Sequence, residues 1–155
     1  MKKYSADELF KIAYSHLQKK DYGKSAGLFE KLEKNYPNNL SILRNLAHCY
    51  AYLKEFQKTE NCLRKIINIK PDEPFVYQIL ASTLKDQDKL QEAISVINEG
   101  LKKNLINEKW EIQKNLFFPK IPFNKEEIKK YRQKIVKEIE KILNVNFHKY
   151  LDYDK

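Results

Sequence analysis

The sequence predicts an all-α solenoid: three helix–turn–helix repeats stacked side by side and closed by C-terminal capping helices. Three observations carry that expectation. Large, small and aromatic residues recur at an offset of 34: Leu9, Ile12, Ala13, His16, Tyr22, Phe29, Leu32 and Pro37 return as Leu43, Leu46, Ala47, Tyr50, Phe56, Leu63, Ile66 and Pro71. A third copy runs through Tyr77, Leu80, Ala81, Leu84, Leu90, Ile97 and Gly100. Within each copy one slot stays small (Ala13, Ala47, Ala81), and prolines and capping residues punctuate the helices. Self-similarity at this period marks stacked supersecondary units, each hiding its apolar face against the next.

The elements follow in order. Helix one should begin after Ser5, whose hydroxyl caps while Glu8 reaches back, and Leu9, Phe10, Ile12, Ala13, His16 and Leu17 then recur at helical spacing. Asp21 caps a second helix from Tyr22 to about Asn35, which Pro37 ends. The second repeat starts near Asn39: Leu43, Leu46, Ala47 and Tyr50 form the inner face of its first helix, and Phe56, Leu63, Ile66 and Ile67 that of its second. In the third, Asp72 is expected to cap and Pro74 sits in a first turn, where its missing N–H has no partner to lose. Tyr77, Leu80, Ala81 and Leu84 share one face, and Asp88 with Gln91 should cap the helix carrying Leu90, Ala93, Ile94, Ile97 and Leu101.

The expected organisation is three repeats over 1–104 (about 6–39, 40–73 and 74–104), then a degenerate first-helix or capping helix over 105–118. The period fails there because Leu105 stands where a fourth proline belongs. A proline-containing link at 119–123 follows, then a long amphipathic helix at 124–143 and a tail at 144–155. Asn124 with Glu127 caps that helix, and Ile128, Tyr131, Ile135, Ile139 and Ile142 form its stripe. The stripe must cover something: the preceding helices, a partner domain or a second copy of the chain. At the small slot, leucine in place of Ala47 should push the helix axes apart.

These repeated slots resemble tetratricopeptide repeats (TPRs), over about two-thirds of the chain. The resemblance implies a right-handed superhelix whose first helices line a concave groove for an extended or helical partner segment. Carried over slot by slot, that lining is Asp7, Phe10, Tyr14 and Gln18, then Ser41, Arg44, Asn45, His48 and Tyr52, then Phe75, Gln78, Ser82 and Lys85. Aromatic rings mixed with an arginine and amides suit peptide binding, with rings for contact area and amides for the peptide backbone. The clamp by which chaperone-tail-binding relatives hold a carboxylate falls here on Phe10, Tyr14, Asn45, Phe75 and Ile79; only Asn45 fits, so that ligand is not expected. A shorter resemblance lies in Pro119, Ile121, Pro122, Phe123, Asn124, Glu126, Glu127, Ile128, Tyr131 and Arg132. It is similar to the connector between repeats and catalytic half in O-GlcNAc-transferase-like (SPINDLY-like) glycosyltransferases. That implies an acceptor-binding region without the catalytic half.

Composition narrows the classes. Of 155 residues only three are glycine and five proline, and the net charge is +9. The excess gathers late: residues 101–155 hold 14 Lys+Arg against 8 Asp+Glu, and nearly all are lysine. Phosphate and base readers lean on arginine forks, so a solvated lysine face is the leading reading, with nucleic-acid binding through the C-terminal helix the last alternative. No apolar run reaches the ~18 residues that span a bilayer, and the N-terminus lacks the apolar core of a signal peptide. A cytoplasmic location is the expectation. Cys49 and Cys62 lack metal-ligand spacing and should be buried thiols. No phosphate loop, nucleophile motif or zinc motif is present, and His16, His48 and His148 are not expected to converge on carboxylates. The expected function is a non-enzymatic scaffold without cofactor, binding a protein segment in the groove.

Overall fold

The computed structural model of the chain describes residues 4–106, Trp110, Lys114 and 124–143. Among them are seven helices and no strand: α1 (Ala6–Gln18), α2 (Tyr22–Asn35), α3 (Leu40–Tyr52), α4 (Phe56–Ile69), α5 (Pro74–Asp86), α6 (Leu90–Lys102) and α7 (Lys125–Leu143). Helices α1 to α6 each pack mainly on the helix before and the helix after. That is the nearest-neighbour architecture of a solenoid. One core runs through it, with Phe29, Leu43, Leu63, Ile66, Tyr77, Leu80, Leu84 and Ile97 essentially without solvent contact. Most of the 105–118 element, the 119–123 link and the 144–155 tail lie outside the described residues.

Ala13, Ala47 and Ala81 are all buried at the crossing of each hairpin. On the second helices Ser25, Thr59 and Ala93 recur, again 34 apart and fully buried. The two small columns let the backbones approach closely enough for Ser25 Oγ to donate to the Ala13 carbonyl at 2.9 Å. Cys49 reaches the same hydroxyl with its thiol at 3.4 Å, and burial pushes the Cys62 thiol up to about 11. Both cysteines are free and buried. Ala47→Leu should lower stability by about 1–3 kcal/mol through overpacking; an unchanged urea midpoint would place the helix crossing elsewhere.

Local chemistry sets the helix ends. Ser5 accepts from the Glu8 N–H at 3.2 Å while the Glu8 carboxylate accepts from the Ser5 N–H at 2.8 Å, a complete capping box. Asn39 accepts from the Ile42 N–H at 3.1 Å and Asn124 from the Glu127 N–H at 2.9 Å. Two expected caps fall elsewhere. Helix α5 starts after Glu73 rather than Asp72, and Glu73 turns its carboxylate to Arg44 and Lys70 instead of its own helix. Helix α6 starts after Lys89, because Asp88 occupies a left-handed turn position.

That turn position is itself periodic. Lys20, Lys54 and Asp88, each 34 apart, have φ of 61, 59 and 58°, a region that costs a side-chain-bearing residue about 1–2 kcal/mol. The backbone there hands the chain from the first helix of each repeat to the second, with the N–H of Asp21, Glu55 and Lys89 donating to the carbonyls of His16, Tyr50 and Leu84. Lys54→Gly relieves the strain and, after the extra freedom of the unfolded glycine, should raise stability by about 0.5–1 kcal/mol. Thermal melts of the variant would read it; a lower midpoint would contradict the strain argument.

Helix α7 departs from the expected stripe. Its most enclosed line is Tyr131, Lys134, Ile135 and Glu138, whereas Ile128 and Ile139 are 38% and 37% exposed. Spacing alone weights every isoleucine equally, but a helix face is chosen by what packs on it. Glu138 is buried with the Lys141 ammonium 2.9 Å from its carboxylate.

Candidate functional site

The exposed faces of α1, α3 and α5 follow from the periodicity: once Leu43, Leu46 and Tyr50 point inward, Arg44, His48 and Tyr52 must point outward. Between α3 and α5 these residues enclose an open cavity of about 440 Å³, lined by Arg44, Asn45, His48, Tyr52, Phe75 and Ile79 among others. A second cavity of about 360 Å³ continues beyond Phe75, bounded by Gln78, Ser82, Asp86 and Trp110. Ala51, Phe75 and Ile79 border both hollows, and the Phe75 side chain is 69% exposed.

A stack of rings builds the wall of the first hollow. Tyr52, 61% exposed, lies nearly parallel to Tyr22 with ring centres 4.5 Å apart and planes 10° from parallel. His48 leans on Tyr52 at 4.9 Å. Tyr22 comes from α2, so one repeat holds the aromatic side chain that the next presents. Stacking of this kind pre-orders a ring and lowers the entropy lost when a ligand settles on it.

One carboxylate at the cavity is shared by two cations. Arg44 bonds to Glu73, whose carboxylate is also 3.0 Å from the Lys70 ammonium. Burial alone would raise the Glu73 pKa, but the hydrogen bonds from Lys70 and Arg44 outweigh it and hold the carboxyl below its ordinary range. Asn45 spends an amide N–H on the Ser41 carbonyl at 2.9 Å.

Of the expected groove residues, Arg44, Asn45, His48, Tyr52 and Phe75 therefore meet around one cavity, and Gln78 lines the next. Tyr14, Gln18 and Lys85 are exposed but line neither. Phe10 is half-buried, its ring edge-on to the core Phe29 at 5.2 Å. Sequence reasoning missed Tyr22, Ala51, Glu73, Asp86 and Trp110. The repeated aromatic after Asp21 and Glu55 was a signal for Tyr22, but nothing local marked Glu73 as the partner of Arg44. His16 is half-buried at the first hairpin turn, its Nδ1 3.3 Å from Asp21. No group of side chains suited to a metal ion occurs among the described residues, and no described helix is long and apolar enough to cross a membrane.

Comparison with known proteins agrees with this architecture. A tetratricopeptide repeat profile matches residues 41–73, the second hairpin. Similar solved structures include a MamA protein at 19% identity, covering 90% of this chain and 72% of that one with a TM-score of 0.68. MamA MSR-1 C2 is 13% identical over 91% of this chain and 78% of that one, with a TM-score of 0.69. MamA from Desulfovibrio magneticus RS-1, residues 41 to the end, is 14% identical over 92% and 78%, with a TM-score of 0.65. At such identities the likeness speaks to fold: an all-helical solenoid of repeated hairpins. No curated protein sequence matches the chain.

Proposed function

We propose that this chain is a protein-interaction scaffold that holds a peptide or protein segment along the groove of α1, α3 and α5, without catalysing a reaction. The repeat match and the shared solenoid fold support an interaction role in general terms. The observation that carries the groove is the pair of large rings, Tyr52 and Phe75, held in solvent around a preformed hollow. Leaving such rings in water forgoes the ~1.5–3 kcal/mol that burying a large apolar side chain yields, and a ligand recovers it. Aromatic anchors in pre-ordered pockets are where binding energy concentrates. The cavity's lining is mainly apolar, so the ligand contributes apolar side chains first.

A random peptide display selection on the folded chain tests this. Enriched peptides should lose about 30-fold in affinity on Tyr52→Ala or Phe75→Ala, the equivalent of ~2 kcal/mol, while the helical circular dichroism is unchanged. Peptides that bind both variants as well as the parent would move the site off this groove.

A further inference from the structure

Resting on the peptide-groove reading, we propose that the segment taken up between α3 and α5 carries a side-chain carboxylate beside its apolar residues, and that Arg44 selects it. The hollow has two unlike parts. Its lining includes apolar groups of two helices, Ala47 and Ala51 from α3 and Leu63 and Ile66 from α4. At the other part, Arg44 and Lys70 share the single carboxylate of Glu73. Two cations against one anion leave one positive charge there. Glu73 is the enclosed member, and the side chains of Arg44 and Lys70 are nearly half exposed. Arg44 spends Nη2 on Glu73, while its Nε and Nη1 make no bond among the described residues.

That remaining donor capacity chooses between ligands. A guanidinium offers a planar fork of charged donors, and a carboxylate is the acceptor that fits it. A wholly apolar segment laid over Arg44 would take those donors out of water unpaired, and a basic one would add a third cation. Glu73 is the one acid among the described residues lining this hollow, whereas Asp86 borders the second. The carboxylate therefore belongs at the Arg44 end. Arg44 and Tyr52 lie about two turns of α3 apart, ~12 Å at ~1.5 Å per residue, which about four residues of an extended segment span. The clamp for a chain-terminal carboxylate is a different device, and its slots at Phe10, Tyr14, Phe75 and Ile79 hold no cation. The net charge of +9 draws an acidic partner in from a distance.

The test uses the full chain and three labelled peptides of equal length, repeating Leu-Phe-Glu, Leu-Phe-Gln or Leu-Phe-Lys, read by fluorescence anisotropy at one salt concentration. The acidic peptide should bind at least about tenfold tighter than the others, and should lose about tenfold or more on Arg44→Gln and on Tyr52→Ala. Lys31→Gln removes an equal charge from an exposed site on α2 and should cost less than about twofold. Glu73 makes no capping bond to its own helix, so Glu73→Gln leaves that helix start intact. By removing the carboxylate that Arg44 already holds, it should tighten the acidic peptide by about threefold. A melt of each variant separates lost binding from lost folding. Three results would overturn the carboxylate assignment while Tyr52→Ala still costs binding and the groove stands: the Gln or Lys peptide binding as well as the acidic one, Arg44→Gln costing no more than Lys31→Gln, or Glu73→Gln bringing no gain. If no peptide's binding depends on Tyr52 or Phe75, the groove reading falls with it.

Discussion

Replacing Phe29 with alanine should destabilise the chain by about 3–5 kcal/mol, a large share of the ~5–15 kcal/mol available to a domain. Phe29 is fully buried where α2 meets α1, and its ring also seats Phe10 edge-on at 5.2 Å. Truncation removes the transfer energy of the ring and leaves a cavity that two helices already crossing at small residues cannot close. Because each helix packs mainly on its sequence neighbours, the damage should stay local. Amide hydrogen exchange read by mass spectrometry should show α1 and α2 losing protection while α5 and α6 retain most of theirs. Equal loss of protection along the whole array would mean that the repeats unfold as one unit, and the nearest-neighbour account would be wrong.

The second large effect is expected at Glu60, on the second helix of the middle repeat. It is 5% exposed and accepts from Arg64 Nε at 2.8 Å, Lys89 Nζ at 2.8 Å and Gln87 Nε2 at 3.0 Å. Burial pushes its pKa upward, but the bonds from Lys89, Arg64 and Gln87 prevail and bring the carboxyl down from 4.5 to about 2. A carboxylate whose folded pKa lies below its unfolded one stabilises the fold above the unfolded value. That stabilisation is lost as pH falls from about 4.5 through about 2. The gap corresponds to roughly 3 kcal/mol at ~1.36 kcal/mol per pH unit. Glu60→Gln keeps the volume and removes the charge. Urea unfolding should therefore show the variant weaker by roughly 3 kcal/mol at pH 7, with the difference shrinking steadily toward pH 2. Other acids with lowered values, Glu73 and Glu99 among them, titrate in both proteins and cancel in the comparison. A difference that does not change with pH would assign the loss to packing instead.

The Glu60 cluster also shows why one expected cap was misplaced. Lys89 stands at the N-cap slot that Asp21 and Glu55 fill in the earlier repeats, and an ammonium cannot accept the helix's N–H bonds. Instead it reaches back 29 residues to Glu60. Spacing favoured Asp88, an acceptor one residue earlier, because the left-handed turn that consumes Asp88 carries no glycine to announce it. Glu73 behaves alike: its carboxylate serves Arg44 and Lys70 rather than the start of its own helix.

Half of the candidate site was legible for a simple reason. Inward and outward positions on a helix are locked together by the 3.6-residue turn, so knowing that Leu46 is core makes His48 surface. What the period does not encode is which outward side chains meet. Tyr14 and Lys85 occupy groove slots like Tyr52, yet it is Tyr52 that stacks on Tyr22 and lines the hollow between α3 and α5.

The order of residues alone determined the hairpins: a repeat of 34, its alanine column, the Ser5 and Asp21 caps and the prolines that end helices. Those signals act within a turn or two of chain, where a side chain's reach and the backbone's own geometry leave little choice. Only the tertiary structure decided the pairing of Arg44 with Glu73, the stack of Tyr22 on Tyr52, the hollow beside Phe75 and the face α7 conceals. Each of these depends on the rotation between neighbouring hairpins or on what covers a helix. Contacts summed over several helices set that rotation, and no short stretch of sequence carries it.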